Sequence, residues 1–229
     1  MKKKELLIII PARSGSTELK NKNIVKIKNK PLIFYTCIFA NKIKNKNYEV
    51  IGSTDSKKIS RIFNKYKIKT PFLRPKIISK KYSLDISYVN HAINFFYNRN
   101  IKFKFGLILR VTSPIRKISE FTKSFNIIKK NKNASSLKSI VLAPQTPYKM
   151  WLINKKKLKP LLFQKKKEMY NMPRQLLPKI YFQDGAFDYF KINYKKKINS
   201  ISGNSIFFYK RNNKHLLDID VRNDLLKIK

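Results

Sequence analysis

Five consecutive apolar residues, Leu6 to Ile10, constrain this chain more than any other feature. A strand with apolar side chains at both parities is buried on both faces, as happens in a parallel sheet covered by helices. The next segments of the chain alternate between helix and strand patterns. Pro31 opens a helix whose apolar face is Leu32, Ile33, Tyr35, Thr36, Ile38 and Phe39. Tyr48 to Ser53 reads as a strand, and Ser56 to Tyr66 as a helix with Ile59, Ile62 and Phe63 inward. Ser83 to Tyr97 is a further helix, with Asp85 in its first turn, where a carboxylate favours the helix dipole. Phe105 to Val111, Ile118 to Ile128 and Ala134 to Leu142 continue as strand, helix and strand. The alternation predicts an α/β fold, a Rossmann-like, mostly parallel sheet with helices on both faces. Ligands in such sheets bind beyond the carboxyl ends of the strands. Those ends are Pro11 onward, Thr54-Asp55 and Thr112-Ser113-Pro114.

The rhythm changes after Pro144. Pro147 to Ile153 and Tyr181 to Phe190 read as extended, and between them a Lys-rich stretch is broken by Pro160, Pro173 and Pro178. The reading is a single domain over 1–229 with an inserted arm at about 144–190. Ile206 to Tyr209 reads as a returning strand, and Val221 to Ile228 as a closing helix.

Composition narrows the chemistry. The formal net charge is +41, from 53 Lys+Arg against 12 Asp+Glu. Such a field attracts phosphate, nucleic acid or acidic membranes. The lysines recur as triplets along the chain (Lys2 to Lys4, Lys155 to Lys157, Lys165 to Lys167, Lys195 to Lys197) and form no Arg-rich stripe. Codon bias toward Lys, Asn and Ile explains that distribution better than a dedicated nucleic-acid surface does. One Cys excludes a disulfide framework, and two His argue against a His-based zinc site. Lys2 to Lys4 followed by Leu6 to Ile10 mimics a signal peptide, but the apolar run is short and ends at Arg13. No stretch approaches the roughly 20 apolar residues of a membrane span. The expectation is a cytoplasmic protein without membrane insertion or a specific nucleic-acid partner.

Chemistry concentrates at the strand ends. Pro11-Ala12-Arg13-Ser14-Gly15-Ser16 is a small turn whose backbone N–H groups can approach phosphate oxygens, with Arg13, Lys22 and Asn23 adding donors. Taken alone it equally fits an ordinary strand-to-helix loop. In Asp218-Ile219-Asp220 the two carboxylates share one face of an extended chain, which suits magnesium. The same pair also fits as charges before a closing helix. Asp55 reads as the N-cap of the helix near Ser56. Ser83 reads as a cap, His91 as packed, and Cys37 as core. Arg74, Arg110 and Arg116 stand where guanidinium groups recognise carboxylate or phosphate.

The order of these motifs resembles the acylneuraminate cytidylyltransferase family, which makes CMP-sialic acid and related conjugates. The resemblance runs through Pro11 to Ser16, Lys22-Asn23, Lys30-Pro31-Leu32-Ile33, Ser53-Thr54-Asp55 and Pro71-Phe72-Leu73-Arg74-Pro75. It continues through Asp85 with His91-Ala92, Arg110 to Arg116, Pro147 to Trp151, Tyr170 to Gln175 and Asp218 to Asp220. It implies a nucleotide-diphospho-sugar transferase fold. It also implies transfer of CMP from CTP to the anomeric hydroxyl of a nine-carbon nonulosonic acid, releasing pyrophosphate. Ala12, Arg13, Gly15, Ser16, Lys22, Asn23 and Ser83 would bind the nucleotide. Arg13, Lys22 and Asp220 would be catalytic, and Asp218 and Asp220 would hold Mg2+. Arg110, Thr112, Lys149, Gln175, Tyr181 and Gln183 would bind the acidic sugar. Relatives form homodimers through the arm, so the same is expected here. The chain departs from the family's pattern at Thr17, where a Lys usually follows Gly-Ser, and at Val111, where Pro is common. Two other readings remain: a synthetase for the related eight-carbon sugar acid, and a non-catalytic basic binding protein on the same scaffold.

Overall fold

A computed structural model of the chain describes residues 1–15, 19, 21–162, 168–194, 199–212, 219 and 224. In chain order the elements are β1 (Lys2–Pro11), β2 (Lys26–Ile27), β3 (Lys30–Pro31), α1 (Leu32–Ile43), β4 (Tyr48–Ser53), α2 (Lys57–Lys65) and α3 (Asp85–Tyr97). They continue as β5 (Ile101–Ile108), α4 (Ile118–Lys130), β6 (Ser136–Leu142), β7 (Trp151–Asn154), β8 (Lys157–Pro160), β9 (Tyr181–Lys191) and β10 (Ile206–Lys210). Six strands form the main sheet in the order β10-β6-β9-β5-β1-β4. β1 runs parallel to β4 and β5, and β10 runs parallel to β6. β9 is antiparallel to both of its neighbours, β5 and β6.

The opening run explains the layering. Leu6, Ile8 and Ile10 point into the layer formed with α1, α2 and α4, while Leu7 and Ile9 meet Val89, Ala92, Ile93 and Phe96 of α3. All five β1 side chains are fully buried, each contributing about 1.5–3 kcal/mol of transfer free energy. Cys37 lies in the same core, where burial pushes its thiol up to about 12. That is the inert packing role expected for it.

The inserted arm is shorter than the sequence suggested. Tyr181 to Phe190 is no part of it, because β9 lies between β5 and β6 in the middle of the sheet, with Asp184 to Phe190 buried. Gly106 makes this neighbour possible. It stands opposite Phe190, and a Cβ there would come within 2.0 Å of the Phe190 ring. What remains as the arm is about 144–180, an antiparallel hairpin of β7 and β8 with short 3-10 turns at Pro147–Lys149, Met169–Asn171 and Arg174–Leu176. The expected closing helix, Val221 to Ile228, lies outside the described residues apart from Asp224.

β9 carries a bulge where its pairing with β6 shifts between Lys138 and Ile140. There Gly185 adopts a φ of +70°, and a Cβ on it would press on the Ser113 hydroxyl and the Arg110 stem. A buried polar cluster secures the bulge. Arg211 donates to Asp184 Oδ2 at 2.5 Å, to Glu120 Oε2 at 3.0 Å and to the Ile115 carbonyl at 2.7 Å. Asp184 also accepts from the Ser139 hydroxyl and the Ala186 N–H, and its carbonyl accepts from Ser113 Oγ at 2.9 Å.

Candidate active site

β1 lies between β4 and β5, so the chain moves out to one side and returns to the other. Ligands bind at such a switch point. A cavity of about 530 Å³ opens there. Pro11, Arg13, Lys22 and Asn23 line it from the end of β1, and Arg110, Val111 and Thr112 from the end of β5. Arg74, the loop from Ile78 to Ser83, and Asp85 and Tyr88 of α3 complete its wall.

The loop after β1 is pinned at three points. Ala12 N–H donates to the Ser53 carbonyl at 3.0 Å. The Asn23 amide is buried and donates to the Arg13 carbonyl at 2.8 Å. Asp55 accepts from both Ser14 N–H (2.8 Å) and Ser14 Oγ (2.6 Å). This corrects the reading of Asp55 as a helix cap. Ser56 performs the capping, accepting from Ile59 N–H at 3.3 Å, which leaves Asp55 to anchor the loop. Gly15 is exposed, and among the described residues beyond its chain neighbours none comes within 4 Å of where a Cβ would stand. Ser16, Thr17 and Lys20 lie outside the described residues.

The three arginines have separate fates. Arg74 is buried, donates to the Ser53 hydroxyl (3.1 Å) and carbonyl (2.5 Å), and stacks 4.6 Å over the Tyr88 ring. Burial lowers its pKa, opposed by Tyr88, Asp55 and Asp85. Arg116 is no ligand-recognition residue. It donates to the carbonyls of Ala186 (2.7 Å) and Arg110 (2.6 Å) and to Thr36 Oγ1 (3.2 Å), tying the strip after β5 to β9 and α1. Arg110 also lines the cavity, with Nη2 2.5 Å from Asp85 Oδ2 and 3.6 Å from Asp188 Oδ2. Burial opposes its charge, but Asp85, Tyr88 and Asp188 outweigh that and raise its pKa.

Of the residues expected to bind nucleotide or sugar, Arg13, Lys22, Asn23, Ser83, Arg110 and Thr112 meet at this cavity. Ala12 is buried just behind it. The remaining sugar candidates are not brought to it. Lys149 is exposed on a turn of the arm. Gln175 lines a second cavity of about 250 Å³ at the arm's base. Tyr181 packs against Lys210, whose ammonium lies 5.1 Å from the ring centre. Gln183 donates to Asp188 Oδ2 at 3.3 Å, behind Arg110. Sequence reasoning missed Asp85 and Tyr88 as cavity residues. Their spacing of three at the start of α3, which places both on one face, was the available signal. His91 packs edge-on against Phe72 with ring centres 4.5 Å apart, as a packed histidine should.

Among the described residues, no group of three or more His, Cys, Asp or Glu is placed to hold a metal ion. Asp55 is committed to Ser14 and Asp85 to Arg110. Asp218 and Asp220 lie outside the described residues. Ile219, between them in sequence, is fully buried and donates its N–H to the Thr112 carbonyl at 3.0 Å. No described helix is long and apolar enough to cross a membrane.

The family model described as "Cytidylyltransferase" matches residues 7–200. The pseudaminic acid cytidylyltransferase of Campylobacter jejuni is 34% identical over 110 residues, 48% of this chain and 47% of that protein. The CMP-N,N'-diacetyllegionaminic acid synthase of Legionella pneumophila is 33% identical over 140 residues, 61% of this chain and 60% of that protein. The matched region thus spans roughly half to three-fifths of these curated relatives. Among solved structures, the CMP:2-keto-3-deoxy-manno-octonic acid synthetase complexed with CTP superposes with a TM-score of 0.67. That superposition covers 98% of this chain and 96% of that one at 13% identity, a likeness of fold alone. A model matched from the first buried strand to beyond β9, over a cationic cavity at the strand ends, means that the chain belongs to the cytidylyltransferase family.

Proposed function

We propose that this protein transfers CMP from CTP to the anomeric hydroxyl of a sialic-acid-like nonulosonic acid, releasing pyrophosphate. The observation that carries the reading is the two-sided cavity. Its β1 side presents Arg13 and Lys22 on a pinned loop, and its β5 side presents Arg110 and Thr112. The first side suits a triphosphate and the second an acidic sugar. The Campylobacter and Legionella relatives act on pseudaminic or legionaminic acid, which supports the acceptor class. The sugar hydroxyl attacks the α-phosphorus, the bond to the β-phosphate oxygen breaks, and pyrophosphate leaves. Such chemistry needs positioning and charge neutralisation more than covalent help. Magnesium held by Asp218 and Asp220 would supply part of that neutralisation. The hydrogen bond from Ile219 to the cavity residue Thr112 supports this assignment. A cytoplasmic location is part of the same proposal.

Pyrophosphate release over a panel of acidic sugars tests the activity. CTP should also raise the melting temperature by several degrees where UTP and ATP at equal concentration do not. Equal stabilisation by all three would overturn the cytidine assignment.

We further propose a homodimer built by the arm. The β7–β8 hairpin exposes Leu152, Ile153 and Leu158, with Ile153 at 82% and Leu158 at 62%. Apolar patches of this kind mark interfaces. Repulsion at +41 per chain opposes association, so added salt should strengthen it. Light scattering at moderate salt should return twice the 27.2 kDa chain mass. A monomer at micromolar concentration would refute the interface.

A further inference from the structure

Arg110, on the acidic-sugar side of the cavity, carries an internal partner, Asp85, to which the proposed reaction gives no role. Arg110 reaches the cavity from the end of β5, yet its Nη2 is already bound to Asp85, 2.5 Å away in the first turn of α3. A second carboxylate, Asp188, lies 3.6 Å behind it. The two carboxylates differ in freedom. The Asp188 side chain is 3% exposed and also bound by Lys138 and Gln183, so it is fixed. Asp85 is 34% exposed at the cavity wall, and Arg110 is 32% exposed. Among the described residues no other group pairs with the Asp85 carboxylate. One turn along α3, the Tyr88 hydroxyl is buried and has no hydrogen-bond partner among the described residues.

We propose that Asp85 is a specificity-determining residue. It serves as the internal counter-ion of Arg110 and is exchanged, one carboxylate for another, for the carboxylate of the acidic sugar. This rests on the nonulosonic acid assignment of the acceptor. Charge arithmetic selects the ligand. Arg110 faces two carboxylates, so a triphosphate arriving there meets Asp85 and Asp188 with no surplus positive charge. A single carboxylate that takes the place of Asp85 on the guanidinium adds one negative charge, against the several of a triphosphate, because the displaced Asp85 stays on α3. A neutral sugar cannot make the exchange, because it would leave the guanidinium without its close partner. The unpartnered Tyr88 hydroxyl is a donor for the displaced Asp85 on the same helix, and the two groups already interact electrostatically. Gly185 holds the other end of the device, because its missing Cβ leaves room for the Arg110 stem.

Calorimetry on the full chain with CDP saturating the nucleotide side tests this. The probes are N-acetylneuraminic, legionaminic and pseudaminic acids and their carboxamides. At least one acid should bind tenfold or more tighter than its amide. Asp85→Asn should tighten the acid about fivefold, the worth of a partly exposed ion pair, and leave its amide within twofold. Arg110→Gln should abolish the discrimination and also remove any effect of Asp85→Asn in the double variant. Asp85→Ser, which keeps a short polar group at the helix start, guards against a folding defect and should act in the same direction. Weaker acid binding in both Asp85 variants, or equal changes for acid and amide, would overturn the exchange. The transferase reading fails separately. If acid binding follows Asp85 and Arg110 but no acid releases pyrophosphate from CTP, the exchange stands and the reaction assignment falls. If pyrophosphate is released but binding ignores Asp85, the reverse holds. If no acid binds, both fall.

Discussion

Arg211→Ala is expected to destabilise the fold by about 3–5 kcal/mol, the usual cost of removing one partner from a buried ion pair. The Arg211 side chain is 1% exposed and is the shared counter-ion of Asp184 and Glu120, which are 1% and 9% exposed. Without it two buried carboxylates face each other with only neutral donors left, Ser139 and Ala186 on Asp184 and the Lys117 N–H on Glu120. The loss should spread to the site. The Asp184 carbonyl holds the Ser113 hydroxyl, and the bulge at Gly185 packs against Arg110. Equilibrium unfolding in urea checks the stability, and the acceptor KM checks the spread. A change below 1 kcal/mol would mean that water or a relaxed side chain replaces the guanidinium. Simultaneous replacement of Arg211, Asp184 and Glu120 by apolar residues of similar volume should cost less than Arg211→Ala. It is the orphaned charge, not the lost attraction, that dominates.

The parts of this architecture that could be read in the sequence are those fixed by local pattern. Leu6 to Ile10 announces its own burial on two faces, because no other environment accepts apolar side chains at every position of a strand. The helices after it carry period-3.6 patterns that match their buried faces. β9 reads as part of the arm because nothing local marks a strand as central or antiparallel. Its place depends on the space above Gly106, which lies 84 residues before Phe190 in the chain. Arg13 and Lys22 were legible as cavity residues because the turn that carries them, at the end of a buried strand, is a local pattern. The work of Asp55, Arg74 and Arg116 was not. A carboxylate or guanidinium has several equivalent donors or acceptors, and only the fold decides whether they meet a ligand or a carbonyl on another strand. The +41 charge is distributed over the surface, and the cavity's own balance is set by a few specific pairs.

Asp220→Asn is expected to lower turnover by on the order of 100-fold with the melting temperature nearly unchanged. Asparagine keeps the shape of the side chain and removes its charge, so the variant isolates electrostatics from packing. Eight of the described acids are engaged elsewhere. Glu5 and Glu49 bind Lys129 and Lys4. Glu120 and Asp184 bind Arg211, and Asp188 binds Lys138. Asp55 anchors Ser14, Asp85 engages Arg110, and Glu168 meets Asn171 at the arm. Each of these has a protein partner, whereas Asp218 and Asp220 flank in sequence a residue bonded to the cavity wall at Thr112. Magnesium prefers one or two carboxylates together with phosphate oxygens, which is the set such a pair would complete. Turnover should therefore fall much more than CTP affinity, since the variant keeps Arg13 and Lys22, the proposed phosphate contacts. The magnesium concentration for half-maximal rate should rise by roughly tenfold or more, because the proposed site would lose one of its two carboxylates. Near-normal turnover at ordinary magnesium would remove these aspartates from the reaction. A collapse in melting temperature would instead mark Asp220 as a structural residue.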